Sequence, residues 1–303
     1  MRNITTGLAL GCAFLGQLLA PPALAQELDT LKKIKTSNSI TIGHRDTAVP
    51  FSYFDDNRRP IGYSVDLCMK IVDAIKLTQK LPKLDVKYVL VGGATRIPLT
   101  ANGTVDLECG TTTNNTERQQ QVSFAVTTFV AASRLAWKKS ANFKTLGDLK
   151  GKSVVAVAGT TNLRQITEIN TQRNLGMTLI PTKHHNDAFA MMDKGSAAAF
   201  VSDDILLYSI IAGAPTPGNY AVSTEALSKE PYGIMMRKDD PAFKKVADDA
   251  LRALFKSGEI HKIYDKWFMS PIPPKNIRLN AAMSDVLKGV IANPTDSGIT
   301  SDY

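Results

Sequence analysis

The 303-residue chain holds only 3 cysteines and 4 histidines. Such scarcity argues against a disulfide-dense scaffold and against a metal centre. Two of the histidines, His184 and His185, are adjacent, so their side chains point in different directions, and no carboxylate spacing completes a metal set. No nucleophile stands with a paired base. Internal repeats and low-complexity tracts are also missing. Lys and Arg (36) outnumber Asp and Glu (28), for a net charge of +8 and a pI near 9.3. The basic residues are nevertheless scattered, and no nucleic-acid motif accompanies them; the excess favours an anionic ligand or solubility.

What is present begins with an export signal. Arg2 supplies the positive start, Leu8 to Ala20 an apolar core, and Ala23-Leu24-Ala25 a small-x-small cleavage site before Gln26. That apolar run is too short and too weakly flanked for a membrane anchor. A lipoprotein cleavage at Cys12 would leave a very short apolar segment before it. Cleavage after Ala25 removes Arg2 and Cys12, so the charge falls from +8 to about +7 and Cys68 and Cys109 remain. In an oxidising compartment these two can pair, and two buried free thiols fit the sequence equally well.

The mature chain alternates strand and helix patterns. Leu28, Leu31 and Ile34 mark a short amphipathic helix, and Ser39 to Gly43 a first strand ending at His44-Arg45-Asp46. Tyr63 to Ile75 carries its apolar residues on one helical face. Asp85 to Val91 and Val105 to Cys109 read as strands, with a short helix from Arg96 to Ala101 between them. An extended apolar run, Thr128 to Trp137, precedes a second round. Lys152 to Ala158 and Ala197 to Val201 are strands, and 162–174, 187–194 and 205–211 are helices, the last capped by Asp204 or Ser202. Tyr232 to Arg237 is strand-like again, Pro241 to Ser257 and Glu259 to Phe268 are helical, and the segment from Pro271 wraps the surface. Strands alternating with helices imply an α/β fold with largely parallel sheets.

The stretch Leu107 to Ala125 joins a strand end, several hydroxyls and an arginine, Arg118, opening a polar helix. Amides at a helix start, Thr hydroxyls and a guanidinium together satisfy a carboxylate. Other polar groups fall at strand ends: Arg45, Thr111, Thr113, Thr161 and Asp203. That edge is where open α/β sheets bind ligands. A lone buried arginine is costly without an anion, which favours a site role for Arg45 and Arg96 over a surface one.

The motifs G-H-R-D-x-x-x-P-F-S-Y, R-I-P-L, E-C-G-T-T-T-N-N-T-E-R, Y-G-I-M-M-R-K-D-D-P-x-F-K-K and D-K-W-F-x-x-P-I-P-P-K-N together resemble the glutamate/aspartate periplasmic binding proteins of ABC amino-acid importers. The similarity runs in order from about Leu28 to Asn280. It implies a type II periplasmic binding protein fold: two lobes, each a central mostly parallel sheet flanked by helices, closing on a ligand. Residues 26–131 would open lobe one, 132–231 form lobe two, 232–280 return to lobe one, and 281–303 form a tail. The resemblance implies that Arg118, Thr113 and Thr161 receive the α-carboxylate. Asp203, with Thr111 beside it, would take the α-ammonium, and Arg45, Arg96 and His185 would clamp the side-chain carboxylate. No cofactor and no nucleic acid are implied; the expected partners are the amino acid and an inner-membrane permease, and the expected state is a monomer in the periplasm.

Two departures from the family pattern stand out. Gly93 replaces a common serine just before R-I-P-L, a contact that water or Thr95 would have to supply, and Ala48 and Gly93 stand where aromatics often face the ligand. A rival reading is an exported dehydratase of a cyclic carboxylic acid, with Glu108 as its acid or base. Another is a sensory binding module on the same fold.

Overall fold

The computed structural model describes Met1 and residues 29–303. The predicted leader and its cleavage site lie outside the described residues. The chain opens with α1 (Thr30–Ser37) and β1 (Ser39–His44), followed by a small ribbon of β2 (Thr47–Ala48), β3 (Ser52–Phe54) and β4 (Pro60–Ile61). Helix α2 (Tyr63–Gln79) starts at Gly62, which holds φ at 137°. A Cβ there would lie 2.1 Å from the Phe51 carbonyl oxygen, so only glycine lets the helix begin so close to the ribbon. Leu67, Cys68, Ile71, Val72 and Ile75 then form its buried face, and Lys80 ends it in the left-handed conformation.

After β5 (Asp85–Leu90), α3 (Arg96–Ala101), β6 (Leu107–Glu108) and β7 (Val122–Phe124), the chain enters a second sheet with β8 (Phe129–Lys138). It continues through β9 (Ser153–Val157), α4 (Thr161–Gln172), β10 (Thr178–Thr182), α5 (His185–Asp193), β11 (Ala199–Asp203), α6 (Asp204–Ala212), β12 (Tyr220–Val222) and β13 (Ser228–Tyr232). It returns with β14 (Met235–Arg237), α7 (Pro241–Lys256), α8 (Glu259–Tyr264) and α9 (Asp285–Ala292).

Two sheets result. The first runs β5-β1-β6-β14-β7, with β1 parallel to β5 and β6 and the returning β14 antiparallel to β6 and β7. The second runs β10-β9-β11-β8-β12, with β13 also on β8; β10, β9 and β11 are parallel and β8 antiparallel to its neighbours. Alternation along the strands of this second sheet divides its core. Leu135, Val154, Ala156, Ala199 and Val201 pack on one face, while Ala136, Val155, Val157 and Phe200 pack on the other. The fold is therefore the expected two-lobed α/β architecture. An aromatic cluster of Phe51, Tyr63, Phe129, Tyr232 and Phe268 sits where the strands cross between lobes.

Several local expectations are corrected. Arg118 opens no helix; Arg118–Gln120 is a single 3₁₀ turn, fixed by Asn115 Oδ1 accepting the Arg118 amide at 2.8 Å. The segment beyond Pro271 does more than wrap the surface, since α9 buries Leu287 and Val290 and the residues after it reach the crossing strands. There the Thr295 carbonyl accepts from the Thr127 amide at 2.8 Å, and the Asp296 carbonyl accepts from Asn114 Nδ2 at 2.7 Å. Helix α8 passes into a π turn at Asp265–Met269 rather than continuing as α-helix. Cys68 and Cys109, whose Cα atoms are 6.2 Å apart, form a disulfide that ties α2 to the end of β6.

Candidate functional site

The carboxyl ends of the parallel strands in both sheets face each other across a cleft. Arg45 follows β1, Thr111 and Thr113 follow β6, Thr161 follows β9 at the first turn of α4, and Asp203 ends β11. Arg96 begins α3 and His185 begins α5. These side chains reach one place because each leaves its sheet at the same edge, as open α/β folds prescribe. Arg45, Arg96, Thr111, Thr113, Thr161, His185 and Asp203 all line one small cavity. All but Thr161, which is partly exposed, are at least nine-tenths buried. Arg118 is absent from this lining. It stands behind the wall, its Nη1 donating to the Thr113 carbonyl at 2.8 Å and its Nη2 to the Gly159 carbonyl at 3.4 Å.

One side of the cavity is cationic. Arg96 Nη1 donates to the Thr111 carbonyl at 3.0 Å and to Thr112 Oγ1 at 2.8 Å, and the Thr112 hydroxyl donates onward to Glu108 Oε2 at 2.6 Å. Glu108 is thus a buried strut behind Arg96 and does not line the cavity. The Nε atoms of Arg45 and Arg96 and the Nδ1 of His185 are buried with no hydrogen-bond partner among the described residues. Buried polar atoms are nearly always paired in folded proteins. Three orphans around one cavity therefore mark a place where an acceptor group belongs.

The electrostatics follow from this crowding. Burial, then the neighbouring Arg96, pulls the Arg45 guanidinium down to about 10, against the pull of Glu108 and Asp46. Burial and Arg96 likewise bring Arg118 to about 9. His185 is pushed down to about 3 by burial and by Arg45 and Arg96, so it is a neutral imidazole between pH 5 and 8. This side of the cavity disfavours a third cation, and an entering anion relieves the two it has.

The other side is rich in acceptors. Asp203 holds the N-cap position of α6, but its side chain caps nothing; its Oδ1 accepts from Asn162 Nδ2 at 2.8 Å, and its Oδ2 accepts the Tyr232 hydroxyl. Burial first, then Glu230, raises Asp203 to about 7. Asp204 instead takes the amides of Ala132, at 3.2 Å, and Ile205, at 2.8 Å. Glu230, on β13, accepts from both Thr113 Oγ1 and Thr161 Oγ1 at 2.6 Å. Asn162, Tyr232 and Glu230 were missing from the sequence-derived set. Asn162 could have been found as the neighbour of Thr161 at a helix start. Glu230 carries no local signal, because its partners lie 117 and 69 residues away.

The lobes also meet outside the cavity. His184 Nδ1 lies 2.8 Å from Asp46 Oδ2, so the first of the adjacent histidines bridges the cleft while the second lines it. Gly93 and Gly159 meet main chain to main chain. A Cβ on Gly93 would lie 2.3 Å from the Ala158 carbonyl oxygen, and one on Gly159 would lie 2.6 Å from the Gly93 carbonyl. Thr95 does not replace the missing serine hydroxyl at position 93: it is exposed, and its Oγ1 accepts the Gly92 amide at 2.9 Å.

Comparison with known proteins places the chain in one family. Residues 40–270 match the family model described as bacterial extracellular solute-binding proteins, family 3. The chain is 51% identical over 95% of its length to an L-glutamate/L-aspartate-binding protein of Pseudomonas aeruginosa, covering 96% of that protein. It is 42% identical over 92% of its length to a glutamate/aspartate import solute-binding protein of Escherichia coli K12, again covering 92% of the relative. Among solved structures, an ancestral arginine-binding protein bound to glutamine superposes with a TM-score of 0.69 at 27% identity, covering 76% of this chain and 98% of that one.

Proposed function

The chain belongs to the bacterial extracellular solute-binding proteins of family 3, and on that footing we propose that it captures acidic L-amino acids, glutamate or aspartate, by closure of its two lobes and hands them to an ABC permease for import. The observation that carries this reading is the pair of buried, unpaired guanidinium Nε atoms of Arg45 and Arg96, with His185 Nδ1 beside them. A side-chain carboxylate is the group that satisfies all three. Asp203, raised by burial and then by Glu230, is the partner for an α-ammonium, with Thr111 at its side. The main-chain amides that open α4, with the Arg118 charge behind the wall on the Thr113 and Gly159 carbonyls, face the α-carboxylate end. An export leader cleaved after Ala25 would deliver the mature chain to the periplasm.

Closure excludes water, so each charge-assisted hydrogen bond contributes roughly 1.5–3 kcal/mol. Several of these, less ordering costs, give about 8 kcal/mol or more, a micromolar Kd or tighter. Glutamine or asparagine offers Arg45 and Arg96 an uncharged amide and leaves desolvated cations half paired, a penalty of roughly 2–4 kcal/mol. Glutamate and aspartate differ by one methylene, worth about 1–3 kcal/mol.

Calorimetry of the mature protein with glutamate, aspartate, glutamine and asparagine tests the reading. The two dicarboxylates should bind at least thirtyfold more tightly than their amides. Equal affinity for the amides would remove the carboxylate clamp. The dehydratase alternative gains no support from the relatives that the chain matches over most of its length, which are binding proteins.

A further inference from the structure

The hydroxyls of Thr113 and Thr161 each carry one proton, and the structure shows where both protons go. Thr113 Oγ1 and Thr161 Oγ1 donate to the same oxygen, Glu230 Oε2, at 2.6 Å each. The other carboxylate oxygen, Oε1, accepts the Ser228 hydroxyl. Glu230 is 3% exposed and sits on the strand that crosses between the lobes. Thr113 comes from the first sheet's edge and Thr161 from the second's, so one buried carboxylate ties both lobes to the crossing strand. The two hydroxyls are 3.4 Å apart, too far to compete with bonds of 2.6 Å.

A hydroxyl that has spent its proton presents only lone pairs elsewhere. What Thr113 and Thr161 offer the cavity is therefore acceptor character, beside the acceptor-only carboxylate of Asp203. Those two hydroxyls can accept from an ammonium and have no proton left for a carboxylate. The hydroxyls would serve the α-carboxylate, as the resemblance implied, only if they turned away from Glu230.

We propose that Glu230 is a positioning residue that fixes the hydroxyls of Thr113 and Thr161 as acceptors, so that this side of the cleft selects a ligand bearing a primary ammonium. This rests on the amino-acid-binding reading above and specifies how the amine is told from its absence. Glu230 touches no ligand; it acts through the two threonines.

The test compares L-glutamate with glutarate, which keeps both carboxylates and lacks the amine, by direct and competition calorimetry up to millimolar ligand. The full-length mature protein should prefer L-glutamate by a hundredfold or more. Glu230→Ala should lower L-glutamate affinity at least tenfold and leave glutarate within threefold, so the preference collapses. Glu230→Gln keeps a carbonyl oxygen for the two hydroxyls and should restore the preference to within about threefold of the parent. Thr113→Val, which removes one acceptor without changing shape, gives the same selective loss and serves if Glu230→Ala does not fold by thermal melting. Equal weakening of both ligands in Glu230→Ala and Thr113→Val would overturn the proposal and leave Glu230 a structural strut. Failure of the unmodified protein to bind L-glutamate would instead overturn the amino-acid reading itself.

Discussion

Replacing Arg45 with methionine should make the protein more stable and worse at binding. The guanidinium is 2% exposed, and burial beside Arg96 lowers it to about 10, two to three decades below free arginine. Each decade is worth about 1.4 kcal/mol, so holding this charge in the fold costs about 3 kcal/mol at neutral pH. The sign follows from the direction: a base whose folded value is depressed carries its full penalty below about 10, and loses it only as the pH climbs towards the value of free arginine. Methionine keeps an unbranched apolar stem and discards the charge. Allowing about 1 kcal/mol for imperfect repacking, the variant should gain about 2 kcal/mol, several degrees in Tm. Glutamate binding loses at least one charge-assisted clamp and should weaken a hundredfold or more, glutamine binding far less. Thermal melts with and without millimolar glutamate read both effects, because ligand raises Tm only in proportion to its affinity. If the variant melts below the parent without ligand, Arg45 is a structural residue and the argument from unpaired cations fails.

Other perturbations follow from the same geometry. Asp203 must be ionised to take an ammonium, and burial raises it to about 7; L-glutamate affinity should therefore climb about tenfold per pH step from 5 to 7 and then level, and Asp203→Asn should flatten the profile. In the absence of ligand, the same group draws stability down as the pH rises from about 4 to about 7, a loss visible in denaturant titrations. Removing the bridge between Cys68 and Cys109, 41 residues apart, with a double serine variant should cost about 4 kcal/mol by loop entropy, measured by urea unfolding. Gly93→Ala places a methyl 2.3 Å from the Ala158 carbonyl oxygen and should weaken glutamate binding roughly ten- to a hundredfold by obstructing closure, at an overpacking cost of about 1–3 kcal/mol; an unchanged Kd would show that the lobes do not come this close in solution.

Much of this was legible in the chain because it is local. Helix α2 announces itself by apolar spacing after Gly62, and the strand-end residues Arg45, Thr113, Thr161 and Asp203 could be named because a parallel sheet gathers such ends. What escaped was either masked or long-range. Strands β10 and β13 contain Pro181 and Pro231, which argue against a strand in sequence but are tolerated where a strand lies at a sheet's edge. Helix α9 lay hidden behind a proline-rich approach. Glu230 gives no hint until the topology sets it beside two hydroxyls from opposite lobes, and Tyr232 looks like core until its hydroxyl is seen on Asp203.

The contact of Gly93 with Gly159 bears on how such a cleft can change over time. Because peptide meets peptide there, the closest approach of the lobes at this point is set by main chain and not by Arg45, Arg96 or His185. Arg45, Arg96 or His185 can then be exchanged for other groups without altering how far the jaws travel. New cargoes become reachable by relining the cleft alone, while the outer shape shown to a receiving complex stays the same.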